Sequence, residues 1–299
     1  MSDLSPDWTL ATGGPSVVAI GGGHGLARSL GAIRRYASEL TAVVSVADDG
    51  GSSGRLRAML SMPAPGDIRR CLVALTPRPS ALADALEYRF DAGELEGHAM
   101  GNLLLAALTA TTGDFLGAVH GVGEMLGAIG TVLPATTVPV ELAGECSEGH
   151  VVGQVKIMAS SSVTAIELVP PDVQAPGLVV EAIERADQVV IGPGSLYTSV
   201  LAALAPEGIV EALRASRARK VYVCNLREQI PETASYSVAD HVLALLAHEV
   251  VPDVVVADDA AIALGEVPAG VDVVTARLTS RQPLVHDEAL LAKALGNQL

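Results

Sequence analysis

A short β-branched run, Ser16-Val17-Val18-Ala19-Ile20, meets a turn in which four of five residues are glycine, Gly21-Gly22-Gly23-His24-Gly25. A helical pattern starts at once: Leu26, Leu30, Ile33 and Ala37 recur at 3–4 spacing and predict a helix over Leu26–Ala37. A second apolar run, Thr41–Val46, predicts another strand. Strand, turn, helix, strand leaves few options. Two strands joined this way pair in parallel through a right-handed crossover, and a parallel sheet needs cover on both faces. The supply of apolar residues fits, with 49% of the chain hydrophobic and only 3% aromatic, so the core must be built from Ala, Val, Leu and Ile.

The rest of the 299 residues extends the pattern. Apolar faces predict helices over Asp67–Leu75, Ser80–Phe90, Met100–Thr111 and Phe115–Leu126. From Val132 to Pro170 short extended runs (Val138–Leu142, Val151–Val155, Thr164–Val169) suggest an antiparallel excursion. Strands over Gln188–Ile191, Lys220–Cys224 and Val254–Val256 then alternate with helices over Val179–Arg185, Ser195–Leu204, Gly208–Ser216, Ser237–Leu246 and Asp287–Leu295. The expected fold is α/β, a Rossmann-like doubly wound, mainly parallel sheet with a helical insertion and a small antiparallel excursion. Met1–Pro15 reads as a flexible leader and residues 16–299 as one domain.

The net charge of −15 repels nucleic acid and anionic membrane surfaces, so neither is an expected partner. There is no 18-residue apolar run and no signal-peptide pattern, so no membrane insertion is expected. Cys71, Cys146 and Cys224 are far apart and read as free thiols, consistent with the cytoplasm.

Several glycine-bearing turns carry the candidate chemistry. At Gly22, Gly23, His24 and Gly25 the backbone can approach an anion at a helix start. The pattern lacks the Lys-Ser/Thr of a nucleotide-hydrolysing loop, and Leu26 stands where a dinucleotide fingerprint has its third glycine. After the second strand comes Asp48-Asp49-Gly50-Gly51-Ser52-Ser53-Gly54-Arg55-Leu56-Arg57. Asp48 and Asp49 suit hydroxyl groups or Mg²⁺, and Ser52, Ser53 and Arg55 suit phosphate or sugar oxygens. Strand-end loops of an open parallel sheet share one crevice, so both segments are expected to face it. Asp67 suits a helix start, and Asn102 is expected to face the crevice, with His98 structural. A second anion-binding turn is expected at Gly192-Pro193-Gly194-Ser195, with the Thr198 hydroxyl close behind, and Asn225 and Gln229 suit a base or sugar edge. No Gly-x-Ser-x-Gly, metal-ligand motif or catalytic triad spacing is present, and no catalytic residue is assigned.

Taken together, these segments resemble the YvcK-type gluconeogenesis-factor family, in the superfamily of 2-phospho-L-lactate transferase (CofD). The resemblance runs from about Val17 to His248. It rests on the glycine turn, Val46–Arg57, Pro65–Arg69, Tyr88-Arg89-Phe90, Gly97-His98 with Gly101–Leu104, Val132-Leu133-Pro134, Gly192–Ser199 and Asp240-His241-Val242. It implies a Rossmann-like fold and binding of a UDP-sugar such as UDP-N-acetylglucosamine. It also implies a regulatory role in cell-wall synthesis, cell shape and growth on gluconeogenic carbon sources. The alternative it carries is a Mg-dependent transferase of the phospholactate type, in which Asp48 and Asp49 would position the metal or the acceptor. A homodimer is the expected assembly.

Two segments depart from the family pattern. Asn-x-Met-Thr-Gln-Pro-Gly-Glu-Thr is here Asn225-Leu226-Arg227-Glu228-Gln229-Ile230-Pro231-Glu232-Thr233, and Arg-His-Asp is Val285-His286-Asp287. The family associates that arginine with ligand binding, so its role here is either absent or taken by Arg281.

Overall fold

A computed structural model describes residues 9–280 and 284–299. The chain begins with strand β1 (Ser16–Gly21), helix α1 (Gly23–Ile33) and strand β2 (Glu39–Val44). Five helices follow: α2 (Gly51–Leu60), α3 (Gly66–Ala74), α4 (Ala81–Glu87), α5 (Met100–Thr112) and α6 (Phe115–Leu126). Next come β3 (Thr131–Pro134), β4 (Glu141–Cys146), β5 (Gly149–Val152), α7 (Gln154–Met158) and β6 (Ala165–Val169). After α8 (Gly177–Arg185) and β7 (Gln188–Ile191), a π-helical segment (Leu196–Leu201) runs into α9 (Ala202–Leu204). The remainder is α10 (Ile209–Ala215), β8 (Arg219–Val223), α11 (Val238–Ala247), β9 (Val254–Ala257), β10 (Asp272–Thr275) and α12 (Glu288–Gly296).

Seven strands form one sheet in the order β10-β9-β8-β7-β1-β2-β3, and all neighbours are parallel. β1 lies inside it, with Ala19 opposite Ala42 of β2 and Val190 of β7. All four residues of β7 and five of the six in β1 are buried, as expected of strands covered on both faces. From β1 the chain moves outward through β2 to β3, then returns to build β7 to β10 on the other side. The strand order therefore reverses between β1 and β7, and loops at the carboxyl ends of these strands diverge to leave a crevice. A separate antiparallel sheet, β5-β4-β6, forms the predicted excursion.

The expected fold class is the one observed, with instructive differences in the elements. Val132–Pro134 does not open the antiparallel excursion: β3 pairs in parallel with β2, Val132 opposite Ala42. The stretch expected as a strand over Val151–Val155 turns into α7 after Gly153, and the strand expected from Val138 starts at Glu141. The segment after Asp49, expected as a loop, becomes helix α2 from Gly51. Its glycines look like turn residues, but a Cβ on Gly54 would fall on the Asp49 backbone, so close packing is what requires glycine there. Strand β10 carried no sequence signal because it is an edge strand without a fully buried residue. Among the described residues, no helix is long and apolar enough to cross a membrane.

Candidate functional site

Helix α1 starts within the glycine turn rather than after it. Gly22 is its N-cap, in extended conformation and without a capping side chain, so the first N–H groups must find partners elsewhere. Gly23 adopts φ +64°, which favours glycine. Its N–H donates to Asp67 Oδ2 at 2.6 Å, and the other oxygen of that carboxylate pairs with Arg70. Asp67 is buried in the first turn of α3. Burial pushes its carboxyl up, against the pull of Arg70 and the Gly23 N–H. One donor of the predicted anion-binding helix start is thus met from within the chain.

The same turn is pressed against the loop after β7. A Cβ on Gly25 would fall on the Pro193 carbonyl and stand 3.1 Å from Gly194 N, so only glycine permits this approach. Ser29 Oγ donates to Gly192 O at 3.1 Å and ties α1 to the same loop. A Cβ on Gly22 would meet Asp67 Oδ2, Ser199 Cβ and Ser45 Cβ, which places the carboxyl ends of β1, β2 and β7 together.

At the second predicted anion turn an internal carboxylate again takes the donors. Glu232, 1% exposed, accepts from Tyr197 N at 2.8 Å and Thr198 N at 3.1 Å, and the Thr198 hydroxyl lies 3.3–3.4 Å from both its oxygens. Burial raises the Glu232 carboxyl, and those N–H donors hold the rise in check. Asn225 clamps the adjacent loop from both sides: Gly194 N donates to its Oδ1 at 3.1 Å and its Nδ2 donates to Gly194 O at 2.8 Å. Gln229 Nε2 donates to Ser195 Oγ at 3.0 Å.

These loops enclose a cleft of about 670 Å³ at the carboxyl ends of β1, β7 and β8. Gly25, Gly194, Ser195 and Asn225 line it together with Arg227, Gln229 and Glu232. Three exposed apolar side chains, Met158, Ile230 and Leu284, contribute further lining. His286 also lines it. Its Nε2 lies 3.2 Å from Cys224 O, and burial lowers its pKa to about 4, so the ring is neutral near pH 7. Such a cleft can enclose a small organic ligand among fixed amide, hydroxyl and backbone groups.

The other predicted residues gather one strand further along. Ser52 and Ser53 are buried in the first turn of α2, and Ser52 Oγ lies 3.0 Å from His98 Nδ1 and accepts from Asn102 Nδ2 at 3.1 Å. Asn102 is buried, and its Oδ1 has no hydrogen-bond partner among the described residues. Burial, then the nearby Arg55 charge, lowers the His98 pKa. Asp48 Oδ1 accepts from Gly50 N and Asp49 Oδ1 from Val155 N at 2.9 Å, so Asp49 secures the start of α7. Arg55 is exposed and donates to Glu96 O. Among the described residues, no three His, Cys, Asp or Glu side chains are grouped to hold a metal.

The structure therefore divides the expected single wall into two groups joined at Gly22 and Asp67. Gly25, Gly194, Ser195 and Asn225 line the cleft; Asp48, Asp49, Ser52, Ser53, Arg55 and Asn102 do not. His24 faces a separate pocket with Arg34, Arg70 and Arg78, and burial, then Arg70, lowers its pKa. Thr198 is buried against Glu232. Arg281, considered as a substitute for the arginine absent at Val285, lies outside the described residues. Sequence reasoning did not assign Glu232, Arg227 or His286 to the site. Glu232 lies 34 positions beyond the Thr198 it caps, and only the fold brings them together.

Residues 17–296 match the family model described as 2-phospho-L-lactate transferase CofD. A gluconeogenesis factor from Halalkalibacterium halodurans is 45% identical over 236 residues, covering 78% of this chain and 73% of that one. A putative gluconeogenesis factor from Nostoc sp. is 43% identical over 235 residues, and the chain spans 52% of that relative's length. A crystal structure of a upf0052 family member from Bacillus halodurans has a TM-score of 0.88 and 37% identity, covering 94% of this chain and 98% of that chain.

Proposed function

The chain belongs to the 2-phospho-L-lactate transferase CofD family, with gluconeogenesis factors among its relatives, and on that premise we propose that it is a nucleotide-sugar-binding regulatory protein. The ligand is of the UDP-N-acetylglucosamine type, and the role is in growth on gluconeogenic carbon sources, cell-wall synthesis and cell shape. The observation that carries this reading is the position of the 670 Å³ cleft at the strand-order reversal between β1 and β7. Asn225 and Gln229 hold the Gly194–Ser195 loop, and the Gly194 and Ser195 edge offers polar groups to a sugar or phosphate. Met158, Ile230 and Leu284 offer aliphatic surface to a base, with no Phe, Tyr or Trp among the described lining residues.

Isothermal titration with UDP-N-acetylglucosamine tests this, alongside thermal unfolding. Saturation at a hundred times Kd would stabilise the fold by about 2.7 kcal/mol. No heat and no rise in Tm with any nucleotide sugar rejects the reading. Restored growth on a gluconeogenic carbon source, in a bacterium lacking its own gluconeogenesis factor, tests the cellular role.

The family model's description favours a second reading, transfer of a phospholactyl group from a nucleotide-activated donor. Asp48 and Asp49 each commit an oxygen to a backbone N–H, and no third metal-type ligand joins them among the described residues. These residues do not make a metal site by themselves. Product formation from donor, acceptor and Mg²⁺ above a protein-free blank would establish the transferase; its absence would dismiss it.

A further inference from the structure

The cleft is short of positive charge. Both helix starts beside it already hold an internal carboxylate, Asp67 on Gly23 N and Glu232 on Tyr197 N and Thr198 N. Asn225 spends both ends of its amide on Gly194, and Gln229 spends its Nε2 on Ser195. The Glu228 carboxylate accepts from Ser235 N, so it is engaged away from its neighbour Arg227. Of the described side chains lining the cleft, Arg227 alone carries a fixed positive charge, since His286 is neutral near pH 7. Its guanidinium is exposed and makes no hydrogen bond or ion pair among the described residues. It follows directly after Asn225 and the buried Leu226, so its backbone is anchored while its side chain is free.

We infer that Arg227 is the anion-binding residue of this cleft, taking the phosphate oxygens of the ligand. A guanidinium presents donors in a planar fork that matches phosphate oxygens. In a chain of net charge −15, a polyanionic ligand meets a repulsive background that a local cation has to offset. The identification of the anion as the diphosphate of a nucleotide sugar rests on the function proposed above; the assignment of Arg227 to an anion does not.

The test uses the full chain with three probes: UDP-N-acetylglucosamine, uridine and inorganic pyrophosphate. Arg227→Gln should weaken binding of UDP-N-acetylglucosamine and of pyrophosphate roughly ten- to a hundred-fold. Uridine binding should be unchanged, and Arg227→Lys should fall between. The salt dependence of UDP-N-acetylglucosamine binding should also flatten in Arg227→Gln, because one charge contact is gone. Arg217→Gln, just before β8 at the amino ends of the strands and away from the cleft, serves as the control and should match the parent. The Arg227 side chain is exposed and has no partner among the described residues, so both Arg227 variants should keep the parental Tm.

Unchanged affinity of Arg227→Gln for UDP-N-acetylglucosamine overturns the inference while the nucleotide-sugar reading stands. Arg227-dependent binding of pyrophosphate with no binding of UDP-N-acetylglucosamine does the reverse. No binding of either by the parent protein removes both.

Discussion

Glu232 offers the sharpest test of how this cleft is built. Its carboxylate is the buried acceptor for Tyr197 N, Thr198 N and the Thr198 hydroxyl at the start of the helix after β7. Glu232→Ala leaves two buried N–H groups and a hydroxyl without their partner. Each unsatisfied buried donor costs about 1–3 kcal/mol, so the loss should be about 3–5 kcal/mol, reduced by the charge no longer buried. Glu232→Gln keeps an oxygen facing the two N–H groups, and the threonine hydroxyl can turn to meet the new amide. Its cost should be only about 1 kcal/mol. The two variants also differ from the parent in pH dependence. An acid whose pKa is raised on folding keeps, in the folded state, a proton that the unfolded chain has released. Its contribution to stability therefore falls as pH climbs above the unfolded value near 4.5 towards the raised folded one. The parent's advantage over Glu232→Gln should accordingly shrink between pH 4.5 and neutrality. Urea unfolding of all three proteins at several pH values measures both effects. A Glu232→Ala loss below about 1 kcal/mol would refute the capping role, and a pH-independent difference between the parent and Glu232→Gln would refute the raised pKa.

Four further expectations follow from the structure. Gly25→Ala should destabilise the protein by several kcal/mol (about 3 or more) through overpacking against the Pro193 backbone. Gly121→Ala, within α6 and with open space at its Cβ, should stabilise by about 0.5–1 kcal/mol; thermal unfolding of the pair separates close packing from helix propensity. Asn225→Ala removes both bonds to Gly194 and should cost about 2–3 kcal/mol and abolish nucleotide-sugar binding, read by unfolding and titration. His286, with its pKa lowered to about 4, should erode stability as pH falls from 6.5 towards 4. The loss should be at most about 3 kcal/mol, and His286→Gln should remove it in acid-unfolding curves. Its slope is opposite to that of Glu232 where their windows overlap, so only the single variants resolve the two.

The parallel sheet was legible because most of its strands carry short runs of buried Val, Ile and Ala and are separated by helices with a clear 3–4 repeat, as in Ser16–Ile20 and Leu26–Ala37. Legibility failed where composition and packing point different ways. Gly51-Ser52-Ser53-Gly54 has the composition of a turn, yet it opens α2, because Gly54 serves a close approach and Ser52 hydrogen-bonds inside. Asp49 reads as a ligand group, and the fold adds a contact the sequence does not show: its Oδ1 accepts from Val155 N, 106 positions away. Within the cleft, Gly25, Gly194, Ser195 and Asn225 were legible as glycine and amide signals at strand ends. Arg227 was visible only as a departure from a pattern, and Glu232 had no local signal.

What the sequence determined by itself is local: where strands stop, where helices start, and that the turn at Gly23 favours glycine; the need for glycine at Gly25 comes from the approach of the distant Pro193 backbone. A helix start calls for negative charge because its first N–H groups have no partner in the helix. The sequence states that need without saying who meets it. Tertiary structure decided the matter, delivering Asp67 from α3 to Gly23 and Glu232 from the loop after β8 to Tyr197 and Thr198. By taking those donors, the fold left the cleft beside them with a single free cation among its described lining residues, Arg227.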